Sequence, residues 1–172
     1  MKNIFLIPLV LFGIAFVSCN TEEEQVFTSP YTEFKDYEIF SANKSVWKEQ
    51  DNYTFTYKYE RQNLHLQPPV TVNIKNGIST FIFQADYPED YYKKLASISE
   101  VYEYFEKHWQ KVKAEQNNSF GISFSATYGK SNSNSAYPKI LNEDIKWAKS
   151  TTALNGIDAG GLRIEITNFE EN

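Results

Sequence analysis

From Tyr53 to Gln84 the side chains alternate with the period of extended chain, and this constrains the fold more than any other stretch. Tyr53, Phe55, Tyr57 and Tyr59 share one parity; Thr54, Thr56, Lys58 and Glu60 share the other. Successive strand side chains point to opposite faces, so one face is aromatic and the other wettable. Val70, Val72 and Ile74 then alternate with Thr71, Asn73 and Lys75, and Asn76-Gly77 leads into Ile78 to Gln84. A two-residue Asn-Gly link suits a type I′ turn, whose central residues both need positive φ. The stretch reads as a three-stranded antiparallel meander. It speaks to folding, not to chemistry.

Two helices frame the meander. Asp36 to Gln50 places Tyr37, Phe40, Lys44 and Trp47 at helical spacing, with Ile39 and Val46 nearby. Ser97 to Glu115 is the clearer helix. Ser97 and Glu100 form a capping box, and Ile98, Val101, Tyr102, Phe105, Trp109 and Val112 make one apolar stripe. Three more strands follow. Ile122, Phe124, Ala126 and Tyr128 alternate with polar residues from Gly121 onward, Lys139–Ile145 is a second strand, and Leu162, Ile164 and Ile166 mark a third. The expected order is α-β-β-β-α-β-β-β. The expected fold is α+β, a mostly antiparallel sheet of about six strands with both helices on one face. Twelve Tyr and thirteen Phe supply the core, since each buried ring removes about 150–250 Å² from water.

The first residues read as an address. Lys2 gives a positive start and Ile4 to Val17 is apolar apart from Pro8 and Gly13. A membrane span needs about 20 apolar residues, so this run has the length of a signal peptide. Phe16-Val17-Ser18-Cys19 resembles a bacterial lipobox, with Phe16 in place of the usual aliphatic residue. The resemblance implies cleavage before Cys19 and acylation of that residue, and several acyl chains anchor stably where one does not. The alternative is an ordinary secretory signal with a leftover thiol. Residues 1–18 are thus expected as a lipoprotein signal peptide, 19–35 as a polar tether and 36–172 as a single domain. Asn20 follows Cys19, and Thr21-Glu22-Glu23-Glu24 looks like an acidic export signal of surface lipoproteins. The expected location is the outer membrane, on either its periplasmic or its exposed side.

A formal net charge of −5 gives no basic footprint for nucleic acid. Cys19 is the only cysteine, so a disulfide within the chain and a Cys-based zinc site are excluded. His65 reads as an exposed loop histidine and His108 as a histidine at the rim of the second helix's stripe. No phosphate loop, nucleophile elbow or zinc-protease motif is present, and no cofactor is expected. Glu143, Asp144 and Asp158 flank the last loop, where a hydrolase pair or a calcium site would need such oxygens. Tyr91, Tyr92, Tyr128 and Tyr137 lie in or beside polar connectors, and tyrosine offers rigid contact area with a polar tip. With Asp158 they are the candidate binding residues; the competing reading makes them core and rim.

Asn52 to Tyr57, Pro68-Pro69-Val70-Thr71-Val72 and Asn76-Gly77 together resemble the start of the DUF6174 family of uncharacterised secreted proteins. Ser97 with Glu100, Tyr128, Tyr137-Pro138 and Asp158 match its later pieces, so the resemblance covers about residues 45–168. Members often carry cysteines after the first strand, whereas Gln62 to Gln67 has none. The resemblance implies a fold and a secreted location, and no activity. The expectation is a non-catalytic, lipid-tethered binding or assembly domain whose partner is an envelope protein or glycan. The competing expectation is an envelope-polymer hydrolase or calcium-dependent binder using Glu143, Asp144 and Asp158.

Overall fold

The computed structural model describes residues 30–61, 67–83, 87–115, 120–132, 135–147 and 161–171. Cys19, His65 and Asp158 lie outside the described residues. The elements in order are β1 (Tyr31–Phe34), α1 (Tyr37–Val46), β2 (Tyr53–Arg61), β3 (Val70–Lys75), β4 (Ile78–Ile82), α2 (Ile98–Ala114), β5 (Phe120–Lys130), β6 (Ala136–Trp147) and β7 (Leu162–Glu171). A 3₁₀ turn at Glu89–Tyr91 sits in the connector before α2. The strands form one open α+β sheet in the order β1-β5-β6-β7-β2-β3-β4. Every pairing is antiparallel except that of β1 with β5. Both helices cover the same face.

The meander forms as its alternation predicts. Tyr53, Phe55, Tyr57 and Tyr59 are buried, and so are Val70, Val72 and Ile74 across the ladder. Asn76 and Gly77 both take positive φ, 51° and 72°, as a type I′ turn requires. The turn is held from behind, because Gly77 N donates to Asp51 O at 3.0 Å and Asn76 N to Asn52 Oδ1 at 3.1 Å.

Six expected strands become seven. The extra one, β1, falls in the stretch read as tether. Four residues are too few to show an alternation, yet Phe34 is buried at the centre of the aromatic core. Its ring centroid lies 5.0 Å from Phe40, 5.7 Å from Phe105, 5.6 Å from Trp109 and 5.9 Å from Phe124. Each such pair adds about 0.5–1.5 kcal/mol beyond its buried area. The chain then turns through Asp36, at φ 57°, directly into α1. That helix is shorter than expected: Trp47 is buried but already extended, so it packs on Phe169 from outside the helix.

Strands β5 and β6 are longer than their apolar residues predict. Gly129 pairs with Tyr137 and Lys130 with Ala136, so both ends of the polar stretch 129–136, expected as a loop, are ladder. Backbone pairing needs no apolar side chain, which is why residue type hid it.

The helices are tied down by polar groups at their edges. Ser97 Oγ accepts from Glu100 N at 3.1 Å, and Glu100 Oε2 accepts from Ala96 N at 2.7 Å, a reciprocal cap set one residue early. Glu106 of α2 accepts from Tyr37 Oη at 2.8 Å and pairs with Lys44, both on α1. Burial opposes its charge, but these two partners hold the Glu106 carboxyl below its usual range. No helix among the described residues is long and apolar enough to cross a membrane.

Candidate functional site

The tyrosines on the helix-facing side of β2 act as internal pegs. Tyr53 Oη accepts from Ile98 N at 3.1 Å, at the first turn of α2, and donates to Glu49. Tyr57 Oη donates to Lys93 O at 2.5 Å and accepts from Leu95 N at 3.2 Å. Tyr102 Oη on α2 donates to Ala136 O at 2.8 Å. Burial pushes the Tyr57 phenol up to about 12 and raises those of Tyr53, Tyr59 and Tyr102 as well.

The candidate binding tyrosines fall into two groups, Tyr128 and Tyr137 on the paired strands β5 and β6, and Tyr91 and Tyr92 in the connector after β4. Tyr92 is buried at the β4 end of the sheet, its ring 4.7 Å from that of Phe83. The 3₁₀ turn carries Tyr91, whose side chain is not described. Tyr137 stacks on Phe169 at 4.3 Å and covers Gly129. Tyr128, on β5, is part-buried, and burial pushes its phenol up to about 12 while Asn43 of α1 pulls it back. In the strand order β5 and β6 stand near one edge and β4 forms the other.

The most site-like cluster lies where α2 crosses β6. Glu143 Oε2 is 2.9 Å from His108 Nε2 and accepts from Leu162 N at 3.0 Å. The Glu143 side chain is 5% exposed and that of His108 16%. The chain before β7 presses against this carboxylate's own backbone: a Cβ on Gly161 would fall 1.9 Å from Glu143 O. Beside it, Tyr59 Oη is 2.8 Å from Tyr104 Oη, and Lys93 Nζ lies 4.3 Å from the Tyr104 ring centroid. The Tyr59 phenol is raised first by burial, then by Tyr104, with a smaller contribution from the Glu143 charge. The arrangement places an acid and an imidazole in hydrogen-bond contact, largely shielded from bulk water.

Sequence placed Glu143 and Asp144 together at the edge of the last loop. Both instead lie within β6, where neighbours face opposite sides. Asp144 is 54% exposed on the far face, 3.9 Å from Lys146. Their side chains therefore share no ligand. The His108–Glu143 contact had a readable signal: Glu143 is in phase with Leu141 and Ile145, which makes it an inward-facing acid. Among the described residues no group of three or more His, Cys, Asp or Glu is arranged to hold a metal ion. A scan against protein-family models, a search of curated proteins and a search of solved structures each find no match to this chain.

Proposed function

We propose that this is a cell-envelope lipoprotein, tethered at Cys19, whose folded body is a non-catalytic binding or assembly domain in the outer membrane. The observation that carries the tether is a lone thiol placed directly after a charged-then-apolar leader, in Phe16-Val17-Ser18-Cys19. The binding reading is supported by how the polar groups are spent. The β2 tyrosines hold the connector and α2, and Glu143 is occupied by His108 and the start of β7. The resemblance to the DUF6174 family supports the secreted location and the fold, and bears on neither binding nor catalysis. The partner is an envelope protein or glycan.

Mass spectrometry of the mature protein tests the tether. Acyl mass on residue 19, lost in Cys19→Ala, is the expected result. An unmodified terminus ends that half of the reading. Affinity capture from solubilised envelope tests the other half, and a defined protein or glycan should be enriched.

One observation favours a second reading, an envelope-polymer hydrolase: a buried carboxylate beside an imidazole is a known way to hold a catalytic proton. Activity on peptidoglycan or glycan that vanishes in Glu143→Gln, with the fold intact, would make this reading the better one.

A further inference from the structure

The two edges of the sheet are finished differently. At one edge, β1 has four residues, follows Pro30 and presents the exposed charge of Glu33. Short length, proline and charge are the usual means of blunting an edge. At the other edge, β4 reads Ile-Ser-Thr-Phe-Ile, without charge, proline or bulge. Among the described residues nothing pairs with its outer side.

The two faces of β4 also differ. Ser79 and Phe81 face the helices: Ser79 Oγ donates to Ala96 O at 2.7 Å, and Lys94 lies over the Phe81 ring. Ile78, Thr80 and Ile82 face the open side, and the two isoleucines are 71% and 57% exposed. Their neighbours on β3 are Lys75, Asn73 and Thr71, so they form an apolar pair on a polar face.

We infer that β4 is an assembly edge that pairs antiparallel with β4 of a second copy of this chain, joining two seven-strand sheets into one. This names the partner for the assembly reading above and rests on it. The sequence of the strand is the reason for choosing a second copy. A twofold axis at Thr80 sets Ile78 opposite the partner's Ile82 and Ile82 opposite the partner's Ile78. It is the register that covers both isoleucines with isoleucine, and a twofold interface must be self-complementary in this way. On the inner face the same register sets Ser79 opposite the partner's Phe81. No charge opposes a like charge anywhere in the pairing, and apolar β-branched pairs are among the favourable cross-strand neighbours. Five residues form a smaller interface than the roughly 1,600 Å² of a standard complex, so the dimer should depend on concentration.

Directly opposed residues have Cα atoms about 4.5 or 5.5 Å apart, and both values lie within disulfide reach. The test uses the full chain in a Cys19→Ala background, dispersed in excess detergent micelles, with Thr80→Cys as its only thiol. Mild oxidation should give a covalent product of twice the chain mass, increasing with concentration. Lys111→Cys, on the exposed side of α2, should give none. Light scattering of the Cys19→Ala chain should show the dimer without cross-linking, and Ile78→Lys with Ile82→Lys should return it to monomer with an unchanged circular dichroism spectrum. Three results overturn the proposal: monomer throughout at about 100 μM, well above a micromolar Kd; a dimer that survives both lysines; or equal cross-linking at residue 111. A Thr80→Cys adduct with a different envelope protein would also overturn self-pairing, while leaving the binding reading intact. The tether is decided separately, by the mass of the mature terminus.

Discussion

His108 and Glu143 meet across the boundary between helix and sheet, 2.9 Å apart, and the same carboxylate oxygen takes the N–H of Leu162. One buried acid thus joins α2, β6 and the first residue of β7. A buried group left without its partner costs about 1–3 kcal/mol, more if charged. Glu143→Ala should therefore destabilise the domain by at least that much, because Leu162 N loses its acceptor. His108→Ala should cost less, since Leu162 still satisfies the acid. The double variant should reveal a coupling of about 0.5–3 kcal/mol by urea unfolding. Additive losses would mean that the contact carries no energy.

The buried phenols predict alkaline instability. Tyr57 is raised from 10.0 to about 12 by burial, while the same tyrosine in the unfolded chain ionises near its ordinary value. Between these pH values the unfolded state has lost a proton that the folded state keeps, so stability falls as pH rises. Tyr57 accounts for a loss of up to about 1.4 kcal/mol per pH unit in that window and for no loss below it. Urea unfolding at stepped pH should give a plateau in the neutral range and a steep decline above pH 10. Tyr57→Phe should lower the plateau, because Leu95 N loses its acceptor, and make the decline shallower.

Period-2 alternation made the meander legible, and a cap with an apolar stripe made α2 legible. The ends of the sheet were not. β1 is too short to display a period, and its pairing with β5 is parallel and far away in sequence. The outer ends of β5 and β6 mix glycine, lysine, alanine and tyrosine without an apolar alternation, so residue type does not mark their pairing. The site was half legible. Charge marks out Glu143 in the sequence, but beside Asp144, a neighbour that faces away. Its actual partner, His108, lies 35 residues earlier on another element. Strand parity supplies the direction of Glu143, whereas the docking of α2 on the sheet supplies the partner.

Phe34 tests whether β1 belongs to the folded body. Its ring touches both helices and β5, so removing it opens a cavity where four elements meet. Phe34→Ala should cost about 3–5 kcal/mol, the usual range for a buried phenylalanine. Thr32→Ala, two residues earlier, should cost far less. A loss below about 0.5 kcal/mol for Phe34→Ala, the size of an ordinary surface change, would return this segment to the tether.

Gly161 and Gly129 make a matched pair for the last prediction. Both are places where an added methyl would overlap a neighbour, but the neighbours differ in kind. At Gly129 the overlapping atoms belong to the Tyr137 ring, 2.2 Å from the added Cβ, and a side chain can swing aside. At Gly161 the overlap is with the backbone carbonyl of Glu143, at 1.9 Å, and β6 holds that carbonyl in place. Accommodating Ala at 161 means displacing the start of β7, which also draws Leu162 N away from the Glu143 carboxylate. Gly161→Ala should therefore cost more than the 1–3 kcal/mol typical of overpacking at about one methyl, and Gly129→Ala should fall within or below that range. Amide exchange at Leu162 would locate the damage: it should become fast in Gly161→Ala and stay slow in Gly129→Ala. The reverse order of stabilities would mean that the Glu143 backbone gives way more easily than the Tyr137 ring, and that the chain before β7 does not fix the carboxylate's position.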